Sequence, residues 1–116
     1  VNDVLNPVDI EQRISEISTR IANGVRVVTD AEREAKRLRR EFDLAFAHAF
    51  NNAEGSVPAK KYQAQIETMP QREAAENAEI ALSYAERTAW ALKDELSAFQ
   101  SIGASVRAMF DVAGRS

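Results

Sequence analysis

Between Ile10 and Ala49 the chain places Ile10, Ile14, Ile17, Ile21, Gly24, Val28, Ala31, Ala35, Leu38, Phe42, Ala45 and Ala49 in alternating steps of four and three. Only Gly24 lacks an apolar side chain. A strand would alternate every second residue, so this spacing selects a helix. Its average of 3.5 residues selects the narrow seam of a coiled coil over a broad globular face. A helix over residues 8–52 would be roughly 60 Å long at 1.5 Å per residue. A globule of this chain's length would be only about 30–35 Å across, so the pattern predicts a rod.

Turn signals are few and grouped. The chain has four glycines and three prolines in 116 residues, and the turn signals gather at Asn6-Pro7, across 51–58, at Met69-Pro70 and near Gly114, with Gly24 and Gly103 inside the long segments. Proline is tolerated in the first turn of a helix and breaks its interior. A helix over 8–52, a short helix over 59–68 and a long helix over 70–112 are therefore expected, as one domain spanning 1–116. The last helix carries a matching seam: Ala74, Ala78, Ala81, Ala85, Thr88, Leu92, Leu96, Phe99, Gly103, Val106, Phe110 and Ala113. Two four-residue steps meet at Thr88-Leu92-Leu96, which reads as a stutter that relaxes the supercoil.

Folding the two long segments antiparallel about 51–58 sets facing residues whose numbers add to about 113. Ile21 then meets Leu92, Ile17 meets Leu96, Ile14 meets Phe99 and Ile10 meets Ile102-Gly103. In the middle, Ala31 and Ala35 meet Ala81 and Ala78. Large groups face large and small face small, so the gap can be filled along its length. The expected fold is an all-α antiparallel helical hairpin with a short connecting helix. Leu44, Phe46 and Phe50 lie off the seam near the turn, where Tyr62, Ile66 and Met69 are expected to cover them. Ile80, Tyr84 and Trp90 lie off the seam with no evident cover. So slender a hairpin has poor surface-to-volume economy. The expectation is a homodimer forming a four-helix bundle.

The chemistry available is narrow. With no cysteine, disulfides, thiolate nucleophiles and thiolate metal sites are excluded, and a reducing compartment fits. No apolar run nears the roughly 20 residues of a membrane span, and no signal-peptide pattern opens the sequence. A cytoplasmic protein with no membrane partner is expected. The one histidine, His48, has no HExxH or Glu-x-x-His context, and no Gly-rich phosphate loop occurs. One histidine supports no Ser-His-Asp set, and the carboxylate groups Asp94-Glu95 and Glu73/Glu76/Glu79 read as a solvated, ion-pairing helix face in preference to an acid–base pair. No catalytic residue, metal or cofactor is expected, and the chain reads as no enzyme.

Charge is more informative. The net charge is −3 overall, yet residues 26–40 carry six basic and three acidic side chains. In the heptad frame Arg26, Arg33 and Arg40 all fall at f, opposite the seam, with Lys36 and Arg37 beside them. Such a stripe is the electrostatic footprint of a binder of nucleic acid or an acidic protein. The competing account is a solvated face with local pairs: Glu32–Lys36, Arg37–Glu41, Arg39–Asp43 and Arg26–Asp30 all have i,i+4 spacing. Trp90, bordered by Glu86, Arg87, Lys93 and Asp94, is expected to be buried in the homodimer seam, the alternatives being an aromatic anchor for a protein partner or a stacking surface for single-stranded bases.

The run from Ala91 to Phe110, with its Leu96-Ser97-Ala98-Phe99-Gln100-Ser101-Ile102 phrase, and the Asn6-Pro7 opening before an Ile-rich helix carry a resemblance. The chain resembles small all-helical accessory proteins encoded by bacteriophages of actinobacteria and other Gram-positive hosts, often among replication and recombination genes. That resemblance implies host cytoplasm and no catalytic residues. The primary expectation is a dimeric coiled-coil scaffold or adaptor presenting Phe46, Phe50, Ile80, Tyr84 or Trp90 to an unidentified protein. The alternative is a replication or recombination factor binding DNA through Arg26, Arg33, Lys36, Arg37 and Arg40. A weaker alternative is an inhibitor of a host protein.

Overall fold

The computed structural model describes residues 6–114, and among these every regular element is helical. Three helices follow in order: α1 (Pro7–Asn52), α2 (Val57–Glu67) and α3 (Met69–Gly114). The fold is an all-α helical hairpin with a short connecting helix, as the periodicity predicts.

Each boundary has a local cause. Asn6 accepts a hydrogen bond from the Asp9 amide through its side-chain oxygen at 3.0 Å, and Pro7 supplies a helical φ where no donor is needed. At the turn Gly55 has φ +106°, a left-handed conformation that a side chain would oppose. Ser56 then caps α2 by accepting from the Ala59 amide at 3.3 Å. Because Pro58 sits within that first turn, α2 begins at Val57, two residues before the expected start. Pro70 lacks the amide that would continue α2, so the helix stops and restarts across the single residue Thr68. Thr68 is buried, and its hydroxyl donates to the Ala64 carbonyl at 2.7 Å. The buried polar group is thereby satisfied.

Two compact units make up the chain. The terminal unit comprises Val1–Arg26 and Arg87–Ser116; the turn unit comprises Val27–Glu86. In the terminal unit the seam holds large side chains, with Ile10 1% exposed and Ile17 and Leu92 also buried. Gly103 admits Ile10: a Cβ on Gly103 would lie 3.1 Å from Ile10 Cγ2. The Arg13 guanidinium lies over the Phe99 ring at 5.9 Å. Ile10 thus meets Gly103, as the expected antiparallel register requires.

The turn unit is packed with alanine. Ala35, Ala49 and Ala53 are buried, and Ala64 and Ala75 are fully so. Small residues let helices approach closely, so this end is filled largely by backbone and methyl groups. Here the structure corrects an expectation. Tyr62, Ile66 and Met69 remain largely exposed, as does Leu44, and they form no cover. Instead α2 turns inward the face carrying half-buried Lys60 and buried Ala64, continued by Thr68. The Lys60 ammonium lies over the Phe50 ring at 5.8 Å. Ala64 brings the helix close, whereas Tyr62 or Ile66 would hold it away.

All twelve expected seam positions of α1 are buried or half-buried. In α3 the seam is different. Ala81, Thr88, Phe110 and Ala113 are exposed, whereas Leu82 and Ala89 are half-buried. The buried and half-buried set Ala75, Ala78, Leu82, Ala85, Ala89, Leu92, Leu96, Phe99, Gly103 and Val106 keeps strict steps of three and four. The expected stutter is therefore absent, and in register it is Leu82, in place of Ala81, that falls opposite Ala31. In that register the position opposite Phe110 lies outside the described residues, and Ala113 has no opposite position.

Candidate functional site

The basic residues of α1 divide into two groups. Lys36 pairs with Glu32 at 3.1 Å. Arg37 is held between Glu34 at 2.6 Å and Glu41 at 2.7 Å. Arg39 lies 3.8 Å from Asp43 and, across to α3, 3.9 Å from Glu79. Its guanidinium also lies over the Phe42 ring at 5.5 Å. The expected pairs Glu32–Lys36, Arg37–Glu41 and Arg39–Asp43 are thus formed, and Arg37 gains Glu34 as well. The Glu34 carboxyl is held below its ordinary range by the hydrogen bond from Arg37, and Arg37 is correspondingly raised. All these groups are exposed, so water and salt screen each pair and none of them contributes much to stability.

The positions opposite the seam behave otherwise. Arg33 and Arg40, both in the turn unit, have no hydrogen bond or ion pair among the described residues. Arg26, at the same heptad position in the terminal unit, has none either, so the expected Arg26–Asp30 pair does not form. The stripe therefore contains cations already neutralised, Lys36 and Arg37, and cations left to solvent, Arg33 and Arg40.

The aromatic candidates also separate. Phe46 and Phe50 are half-buried and continue a ring series from Phe42, with centroids 6.2 and 6.4 Å apart. They close the turn end of the hairpin and present little free surface. Ile80 and Tyr84 project from the turn unit, Tyr84 at 69% exposure. Trp90 projects from the terminal unit at 68%, and the Lys93 ammonium sits 5.8 Å from its ring. Burial separates Phe46 and Phe50 from these three, which periodicity alone placed in one class.

The catalytic inventory is thin. His48 is exposed and makes no hydrogen bond or ion pair among the described residues. No group of three or more His, Asp or Glu able to hold a metal ion occurs among the described residues. A groove lined by Leu38, Glu41, Pro70, Gln71 and Ala74 holds about 190 Å³, below the roughly 300–1,000 Å³ of small-molecule sites. No helix among the described residues is long and apolar enough to cross a membrane.

Sequence reasoning missed one feature of α3. In the corrected frame its seam occupies a and d, and positions c and g run from Ala74 to Val112 with Glu95 as their one charged residue. The same positions of α1 between Arg13 and Asn51 carry seven charges. The signal was visible as the false stutter: Ala74, Ala81 and Thr88 belong to this second face, and following them led off the true seam. No protein-family model, curated protein or solved structure matches the chain.

Proposed function

We propose that this chain is a non-enzymatic interaction protein, a helical-hairpin scaffold or adaptor of the accessory type encoded by bacteriophages. One observation carries the reading: with the seam closed, α3 still turns Ile80, Tyr84 and Trp90 to solvent at about two-thirds exposure each. Large aromatic and aliphatic side chains on a helix are costly to hydrate and are the usual anchors of protein contacts. Lys93 beside Trp90 supplies the polar edge such anchors have. The test is affinity capture from the source cell with wild-type protein, Tyr84→Ser and Trp90→Ser as baits. A protein retained by the wild type and lost on either substitution is the expected result. An identical set of captured proteins on all three baits would remove the reading.

A second reading rests on Arg33 and Arg40. Unpaired guanidinium groups are ready to contact phosphate, and the proposal is that they bind DNA non-specifically. Phosphate contacts strengthen as salt falls. Fluorescence anisotropy with single- and double-stranded DNA at about 50 mM salt is therefore the sensitive condition. Binding that is lost in the Arg33→Glu, Arg40→Glu double variant supports this reading, and no binding at that salt rejects it. The same double variant, added to the capture experiment, separates an acidic protein partner from nucleic acid. Inhibition of a host protein is the narrower form of the first reading, in which the captured protein loses its activity on binding.

A further inference from the structure

The second face of α3 lies about a quarter turn from the seam, because c and g follow a and d at 100° per residue. In the terminal unit it runs from Thr88 to Val112, and all of its residues are exposed except half-buried Glu95. Its steps of three and four repeat those of a seam. A strip that keeps 3.5-residue spacing over this length suits another helix, since only a helix stays in register with it.

Which helix is indicated by the face itself. In antiparallel pairs the layers match one heptad position with the other, as Ile10 and Gly103 do within the hairpin. Two α3 helices paired through c and g, in the register whose numbers add to 200, would form four kinds of layer. Met109 falls on Ala91, Ile102 on Ala98 and Val112 on Thr88, so each larger side chain meets a smaller one. In the fourth layer the Glu95 carboxylate meets the Ser105 hydroxyl, its only hydroxyl-bearing opposite in that register. Flanking position f sets Asp94 against Ser101 and Ala108, so this carboxylate meets no like charge. Shifting by one heptad sets Glu95 against the Ala98 methyl and leaves the carboxylate unmatched. Such a self-match is what a two-fold contact requires, because the same patch must serve both partners.

We infer that the face of α3 between Thr88 and Val112 is an antiparallel, two-fold self-association surface whose occupant is a second copy of this chain. The inference rests on reading α3 as an interaction helix, and assigns that role to the c and g positions, apart from Ile80 and Trp90. The strip is about 36 Å long and about 10 Å wide. Two such strips would bury about 700 Å² together, below the roughly 1,200–2,000 Å² of stable complexes, so the dimer is weak, reversible and concentration-dependent.

Sedimentation equilibrium and light scattering on the 12.9 kDa chain, from micromolar to about 1 mM, test the inference. The expected result is a monomer–dimer equilibrium. Ala98→Glu, at an exposed helical site, should weaken association by about tenfold or more while circular dichroism stays unchanged. Because the chain has no cysteine, the register is read separately. Equal parts of Ala98→Cys and Ile102→Cys should give mainly the mixed disulfide on mild oxidation, as should Ala91→Cys with Met109→Cys. A folded monomer throughout the range, a dimer indifferent to Ala98→Glu, or disulfides in random proportion would each overturn the inference. A monomer whose capture still depends on Tyr84 or Trp90 would leave the interaction reading standing and remove this one alone.

Discussion

The terminal and turn units use the same two long helices and fill the space between them differently. In the terminal unit isoleucine and leucine occupy the seam, and a glycine at 103 makes room for Ile10. In the turn unit alanines occupy it, a third helix is added, and Leu44, Tyr62, Ile66, Ile80 and Tyr84 are left outside. Both solutions leave no buried side-chain nitrogen or oxygen without a partner among the described residues. The difference shows that hydrophobicity does not rank residues for burial by itself. Where backbones approach closely, a methyl group fills the gap and a larger side chain is excluded, although its transfer from water would be worth more.

This comparison is most severely tested where side-chain volume carries it. Ile17→Ala removes a buried side chain from the terminal unit and should cost about 3 kcal/mol, through lost transfer energy and a residual cavity. Urea denaturation followed by circular dichroism measures it, and a cost near zero would mean that large side chains do not hold this unit. The mirror experiment is Ala64→Leu in the turn unit, which should destabilise by about 2 kcal/mol because added carbons have no space. If it stabilised instead, the close-packing account of the turn would be wrong.

Smaller effects sharpen the contrast. At Gly24 nothing lies within 4 Å of where a Cβ would stand, so Gly24→Ala should gain about 0.5–1 kcal/mol from helix propensity alone. At Gly103 the same change meets Ile10 at 3.1 Å, so its thermal midpoint should rise less than that of Gly24→Ala. The smallest effect is electrostatic. Because Glu34 is held below its ordinary range by the Arg37 hydrogen bond, its stabilisation is present above the ordinary glutamate pKa. That stabilisation is lost as pH falls through the lowered value. Carboxyl NMR titration should show the Glu34 midpoint move up in Arg37→Ala, and no movement would refute the pairing.

The sequence was most readable where one face differed from all others. In α1, charged residues surround a single apolar line, so the line from Ile10 to Ala49 is the buried line throughout. In α3, c and g are nearly uncharged, and two faces compete for the same reading. Ala81 and Thr88 were drawn into the seam although Leu82 and Ala89 fill it. Leu82 and Ala81 are adjacent and both apolar, so periodicity could not choose between them without α1 in place. For the candidate sites, spacing placed Phe46, Phe50, Tyr84 and Trp90 alike off the seam, and it could not separate the half-buried pair from the exposed one. The partial burial of Phe46 and Phe50, and the unpaired state of Arg33 and Arg40, needed coordinates.

The sequence by itself determined that the chain is helical, where its helices break, and that its two long helices return antiparallel in a register near 113. These follow from local spacing, from proline and glycine, and from matching sizes along two lines. Tertiary structure alone decided which face of α2 turns inward, which of two faces of α3 becomes the seam, and which arginines keep a free charge. Those depend on how near one backbone lies to another, and that distance is set by the smallest side chains between them.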